Sequence, residues 1–178
     1  MKVIVGAGGT SEPGWISLAE SDLDVTNFEQ WAQRFAPSSL DAVLAEHVWE
    51  HLTEAEALAA TRNAAYFLRI GGILRIAVPD GLHTSGRYVA WVRPGTGFNG
   101  DDHKQLFDYR SLASLMRAAG LRPKLREWWD EAGMFHSDYS NSEEGRIERS
   151  LNGKKFFDLT MLLGCPYTSL IALSLIHI

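Results

Sequence analysis

Leu40-Asp41-Ala42-Val43-Leu44-Ala45-Glu46-His47-Val48-Trp49-Glu50-His51-Leu52-Thr53-Glu54-Ala55-Glu56, followed after an alanine-rich run by Gly71-Gly72-Ile73-Leu74-Arg75-Ile76-Ala77-Val78-Pro79-Asp80, decides the fold. Asp41 to Ala45 is nearly continuous in small and apolar residues, the composition of a parallel strand buried on both faces. Thr53 and Glu56 have capping-box spacing, in which a threonine oxygen and a glutamate reciprocally satisfy free backbone amides, and the helix they start is predicted to run to Leu68. Gly71-Gly72 is expected to stop it, Ile73 to Val78 to form the next strand, and Pro79-Asp80-Gly81 to end that strand. Strand, helix and parallel strand make a βαβ unit, whose crossover is right-handed.

The flanking chain extends the same pattern. Val3-Ile4-Val5 reads as a first strand running into the turn Gly6-Ala7-Gly8-Gly9-Thr10, and Trp15 to Leu18 as a second after Pro13-Gly14. Asp22 to Val25 is expected as a brief third strand, and Phe28 to Phe35 as a helix with Phe28, Trp31, Ala32 and Phe35 on one side. Pro94 to Gly100 is a glycine-rich loop, after which Asp108 caps a helix that buries Leu112, Leu115, Met116 and Ala119 and stops at Gly120. Leu121 to Trp129 and Tyr167 to Ile176 are the last strands, expected to pair antiparallel, with loop and short helix from Asp130 to Lys155 between them. The fold class is therefore α/β: a doubly wound, mostly parallel Rossmann-like sheet with helices on both faces and no room for a full helix after the first strand.

The 178 residues fit a single domain, and 46% hydrophobic with 22% charged residues is the balance of a globular protein. The apolar run at the start is broken at Gly6, leaving neither a signal-peptide core nor a spanning segment, so the expected address is the cytoplasm and no membrane partner is expected. The single cysteine, Cys165, cannot close an internal disulfide and reads as a structural thiol. A formal charge of −5, with no strongly basic window, disfavours nucleic acid as a partner. The oligomeric state is not legible.

Ligands of an open parallel sheet sit beyond the carboxyl ends of its strands, where the strand order reverses. That points to Gly6 to Thr10, Glu20 to Asp24, Glu46-His47 and Pro79-Asp80. Glycines after the first strand let backbone amides approach a ligand with no Cβ in the way, and an acid after the second can hold ribose hydroxyls.

The Asp41-led strand, the step His47-Val48-Trp49-Glu50-His51-Leu52 and the turn Leu68-Arg69-Ile70-Gly71-Gly72 resemble the corresponding half of class I S-adenosylmethionine-dependent methyltransferases. Pro13-Gly14-Trp15-Ile16 is similar to a turn in a small bacterial branch of that family, and the similarity continues through Asp101-Asp102-His103-Lys104 and Phe135-His136. The resemblance implies S-adenosylmethionine as cofactor, with Gly6 and Gly8 against its methionine and adenosine portions, Glu20 at the ribose, Asp24 near the adenine amine, and Glu46 and His47 flanking it. It also implies methyl transfer to a small-molecule or glycan-like acceptor. The chain departs from the pattern in lacking a helix within Gly9 to Gly14 and in carrying Ile70 where proline is common.

Methyl transfer requires in-line positioning of a nucleophile, a base only where the acceptor holds a proton, and no metal. His103 is the candidate base, oriented by Asp101 or Asp102, because the cluster follows the glycine-rich loop. His136, Asp138 and Tyr139 form a second polar cluster suited to an acceptor pocket. Trp15, Trp31 and Trp49 are expected in the core, whereas Trp128-Trp129, adjacent in a strand, must point to opposite faces. Two rival functions remain: a non-catalytic Rossmann-like nucleotide-binding protein, and a zinc hydrolase using His47-x-x-Glu50-His51, disfavoured because the sequence offers no convincing further ligand. The last six residues, Leu173-Ser174-Leu175-Ile176-His177-Ile178, resemble a translated sequencing-adapter end, so the native last strand is expected to be cut short.

Overall fold

The capping box forms as the spacing predicts. Thr53 Oγ1 accepts from the Glu56 amide and Glu56 Oε2 accepts from the Thr53 amide, and the helix runs over Glu54–Phe67. The computed structural model describes residues 1–96, 100–138 and 169–176. In chain order the elements are β1 (Lys2–Val5), β2 (Trp15–Leu18), α1 (Phe28–Arg34), β3 (Leu40–Glu46), a 3-10 turn (Trp49–His51), α2 (Glu54–Phe67), β4 (Leu68–Pro79), α3 (Gly86–Val92), α4 (Tyr109–Ala118), β5 (Arg122–Trp129), β6 (Phe135–Ser137) and β7 (Ser169–Leu175).

The strands form one seven-stranded sheet in the order β2-β1-β3-β4-β7-β5-β6. β2, β1, β3 and β4 are mutually parallel, and β7 is antiparallel to both β4 and β5. The chain leaves β1 for β2 on one side and then crosses to β3 on the other, so the order reverses at β1 and a crevice opens at the carboxyl ends of β1 and β3. β1 passes to β2 with no intervening helix, as the sequence predicts.

Alternation along the strands separates two cores. Val3, Val5, Val43, Ala45, Leu74, Ile76 and Val78 pack with Trp31 of α1, Ala57, Ala60, Ala64 and Phe67 of α2, and Leu112 and Met116 of α4. Small residues on α2 let it lie close to the sheet, and the Trp31 ring stacks on Phe67 with centroids 5.7 Å apart. On the opposite face, Ile4, Ala7, Leu44, Ala77 and Ile171 form a smaller cluster beside Trp15. The described helices α1, α2 and α4 thus cover one face, while α3 has its own cluster of Tyr88 and Val92.

Three local expectations are corrected. Asp22 to Val25 is not a strand: Asp22 Oδ2 accepts from the Ala19 amide and Asp24 Oδ1 from the amide and hydroxyl of Thr26, so side chains take the place of a strand partner. Gly71-Gly72 does not stop α2, which ends at Phe67 because Leu68 turns extended to pair with Leu40. The glycines instead form an irregularity within β4; a Cβ on Gly72 would lie 2.7 Å from the Arg69 carbonyl oxygen. Phe135–Ser137 is a strand, where loop or short helix was expected.

Leu173, Ser174 and Leu175, within the segment expected to be foreign, continue β7 and pair with both β4 and β5. Cys165, Tyr139 and positions 177–178 lie outside the described residues. Among the described residues, no helix is long and apolar enough to cross a membrane.

Candidate active site

A cavity of about 570 Å³ occupies the crevice beyond β1, β2 and β3. Its walls bring together Gly6 and Gly8 from the turn after β1, Glu20 and Asp24 from the segment after β2, and His47 after β3, with His51 and Asp102 on a further side. Five of the six residues expected to bind cofactor therefore share one space. Glu46 is not among the lining residues. Strand alternation puts it on the same sheet face as Leu44, which belongs to the smaller cluster, and not over the strand tips.

The glycines have separate roles in this geometry. Gly6 (φ +60°) passes so close to Val48 that a Cβ would lie 2.4 Å from Val48 Cγ2, so the turn is pressed against the segment after β3. Gly8 (φ +51°) has only the Gly6 carbonyl oxygen, at 3.8 Å, within reach of a Cβ, and its bare backbone faces the cavity.

The wall from Leu23 to Thr26 is held from behind. Trp31 Nε1 donates to the Val25 carbonyl at 3.0 Å, and Asn63 Nδ2 donates to the Val25 and Thr26 carbonyls at 3.0 and 3.1 Å. Sequence inspection missed Asn63, a buried polar residue among the alanines of α2, although that contrast was a usable signal. Asn63→Ala is expected to cost about 1–2 kcal/mol in urea unfolding, because Val25 keeps the Trp31 bond while Thr26 loses its partner. Wild-type stability in this variant would show that the wall does not depend on Asn63.

His47 also adopts a left-handed backbone conformation (φ +57°), uncommon outside glycine and enriched at functional positions. Its Nδ1 lies 2.8 Å from Glu50 Oε1, and its Nε2 lies 3.1 Å from Ser169 Oγ. Burial alone would raise the pKa of Glu50, which is fully buried; the charge and hydrogen bond of His47 outweigh it and hold the carboxyl below its ordinary value.

The loop after residue 100 docks on the 3-10 turn, the amides of Lys104 and Gln105 both donating to the Glu50 carbonyl. This brings His103 against His51, ring centroids 4.8 Å apart and edge to face. His103 is buried and is not among the residues lining the cavity, and Asp102 pairs with His51 instead of orienting the His103 ring. Its Nδ1 donates to the Val92 carbonyl at the end of α3 at 2.7 Å, while Asp102 Oδ2 lies 3.2 Å from Nδ1 of His51. His51, together with His47, is thus an imidazole at the cavity wall, whereas His103 sits behind it.

The second polar cluster is engaged elsewhere. His136 pairs with Asp130 at 2.7 Å and stacks on Trp128, and Asp138 pairs with Lys124 and Arg126. Trp31 and Trp49 are fully buried; Trp15 is half-buried beside the smaller cluster.

Asp80, at the end of β4, accepts from the amides of Leu82 and Trp129. Burial pushes its pKa up from 3.8 to about 6, against the pull of those two amides. Between these values the folded protein binds more protons than the unfolded chain, so Asp80's contribution to stability is greatest in acid and falls as the pH rises from about 4 to about 6. A carboxyl-carbon NMR titration should give an Asp80 midpoint near 6; a midpoint at 3.8 would contradict this account.

Neither a protein-family model nor a curated protein matches the sequence. Solved structures match its fold. A SAM-dependent methyltransferase from Archaeoglobus fulgidus superposes with a TM-score of 0.58 at 13% identity, over 98% of this chain and 85% of that one. A SAM-dependent methyltransferase from Thermotoga maritima, described as a possible histamine N-methyltransferase, gives 0.57 at 15% identity over 98% and 80%. The fold is that of the class I SAM-dependent methyltransferases. An O-methyltransferase family protein from Burkholderia thailandensis gives 0.57 at 13% identity, covering 98% of this chain and 50% of that one. At these identities the likeness to methyltransferases is one of fold. The SAM-methyltransferase fold here lacks a helix between β1 and β2, so the glycine turn has no helix N-terminus behind it.

Proposed function

We propose that the protein is a SAM-dependent methyltransferase acting in the cytoplasm on a small-molecule or glycan-like acceptor. The observation that carries this reading is the convergence of Gly6, Gly8, Glu20 and Asp24 on one cavity at the point where the strand order reverses. About 570 Å³ lies within the usual range for small-molecule sites.

In this reading the bare backbone at Gly6 and Gly8 admits the methionine and adenosyl portions of the donor, and the exposed Glu20 carboxylate accepts from the ribose hydroxyls. Asp24 and Thr26, on the wall held by Trp31 and Asn63, face the adenine. His47 flanks the donor from the end of β3. The acceptor approaches past His51 and Asp102, and Asp102, largely exposed at the rim, takes up a proton where the acceptor carries one. His103 acts as a positioning residue behind His51.

Isothermal titration with S-adenosylhomocysteine is expected to show one site per chain, and absence of binding at millimolar ligand would end the reading. Asp102→Asn is expected to leave that affinity within about twofold while lowering turnover on any accepted substrate. The missing helix after β1 favours a second reading, a nucleotide-binding protein without turnover. Binding of the homocysteine product together with no methyl transfer across hydroxyl, amine and carboxylate acceptors would support it.

A further inference from the structure

We propose that Glu50, His51 and His103 form a binding site for a first-row transition-metal dication in the wall of the donor cavity. One ligand atom from each residue lies within 4.8 Å of the others, although His103 is separated from the pair by 52 positions in sequence. The grouping differs from the one the His47-x-x-Glu50-His51 pattern suggests. His47 stays outside it, and the further ligand missing from the sequence pattern is supplied by the loop after residue 100.

Each member has one polar atom turned away from the cluster and held by a partner. His103 Nδ1 faces the Val92 carbonyl, which can only accept, so the proton sits on Nδ1 and the Nε2 lone pair is left for a ligand role. His51 Nδ1 faces the Asp102 carboxylate with the same consequence. Glu50 Oε1 lies 2.8 Å from Nδ1 of His47 as an ion pair, and Oε2, buried like Oε1, has no hydrogen-bond partner among the described residues. Carbonyl or carboxylate partners on the far nitrogen of each imidazole are the arrangement that orients metal-binding histidines. A buried carboxylate oxygen without a partner is costly unless something positive meets it.

Two imidazoles and a carboxylate suit Zn²⁺, Mn²⁺ or Fe²⁺ better than Mg²⁺ or Ca²⁺, which prefer all-oxygen shells. Metal–ligand bonds of roughly 2.0–2.2 Å would draw the three donor atoms in by about 1 Å, a movement within reach of side-chain rotation at the half-exposed His51. Three protein ligands leave further coordination positions open, and of the three His51 lines the donor cavity.

The role of the ion rests on the methyltransferase reading; the site itself does not. A dication held there would make a hydroxyl oxygen bound to it more acidic, and the hydroxyl proton would pass through solvent to Asp102, which lies on the far side of the His51 ring. The resulting oxygen lone pair forms the new C–O bond as the methyl C–S bond breaks, and the sulfonium sulfur keeps the electron pair of that bond and becomes a neutral thioether. The site therefore predicts an acceptor that attacks the methyl group through oxygen.

The test uses the full chain stripped with chelator and titrated with MnCl₂ and, separately, ZnCl₂ in a calorimeter, with S-adenosylhomocysteine titrated in parallel. One dication per chain is expected, with affinity reduced at least tenfold in His51→Ala and in Glu50→Gln. His51→Ala serves as the second variant because that side chain is partly exposed, so it keeps the test decisive if Glu50→Gln does not fold. Equal affinity in wild type and His51→Ala, or no stoichiometric binding of either ion, would overturn the site. Ion binding without homocysteine-product binding would keep the site and refute the methyltransferase reading, whereas the reverse pattern would do the opposite.

Discussion

Gly8→Val is expected to abolish binding of S-adenosylhomocysteine, lowering affinity more than 100-fold in calorimetry, while the protein still folds. Gly8 has a left-handed backbone conformation, φ +51°, and a Cβ there meets only the Gly6 carbonyl oxygen at 3.8 Å. The fold therefore tolerates the added atoms sterically, at a backbone cost of about 1–2 kcal/mol visible in urea unfolding. The space the side chain enters is the cavity, and in the proposed function it is the space the donor needs. Gly8→Ala should give the same direction with a smaller loss. Wild-type affinity in Gly8→Val would mean that the donor, if bound, lies elsewhere.

The parts of the fold readable from sequence are those specified by neighbours along the chain. The Thr53–Glu56 box and Asp108 cap announce α2 and α4, since capping needs only side chains within three positions of a backbone amide. The near-continuous apolar run of β3 likewise forms its strand, and Trp15–Leu18 forms one as expected, although its burial does not alternate: Ile16 and Ser17 are both exposed. Where a distant partner decides, local reading fails. Leu68 leaves α2 because Leu40 is there to pair with it, and Gly71-Gly72 is then needed inside a strand and not at a helix end. Phe135–Ser137 becomes a strand because β5 offers an edge. α3 went unread for want of a strong local pattern, although Ser85 caps it through the Tyr88 amide.

The candidate site divides along the same line. The strand-end rule found Gly6, Gly8, Glu20, Asp24 and His47, because sheet topology is predictable from alternation of elements and the cavity follows from topology. The relation of His103 to its neighbours was not readable. Asp102 precedes it in sequence, yet the loop docks through two amides onto the Glu50 carbonyl, which turns Asp102 to His51 and His103 to the Val92 carbonyl. Asn63 was missed for a related reason: its partners, Val25 and Thr26, lie at and just past the end of the expected strand Asp22 to Val25, 37 or more positions away in sequence.

Gly6→Ala is expected to destabilise the protein by about 3 kcal/mol, the sum of a left-handed alanine and an overpacked contact. Gly6 has φ +60°, and the added Cβ would lie 2.4 Å from Val48 Cγ2, closer than carbon atoms can approach. Val48 is branched at Cβ, and its other methyl would stand 3.4 Å from the same atom, so rotation of the side chain offers little relief. The two costs can be separated. Val48→Ala removes both methyls, so Gly6→Ala/Val48→Ala should recover the steric part, about half of the loss, and leave the backbone part in place. Measured as a double-mutant cycle by urea unfolding, the coupling should be favourable by about 1–2 kcal/mol. Strict additivity would mean that the turn after β1 does not press on the segment after β3, and the wall formed by Gly6 and Val48 would then have to be built differently.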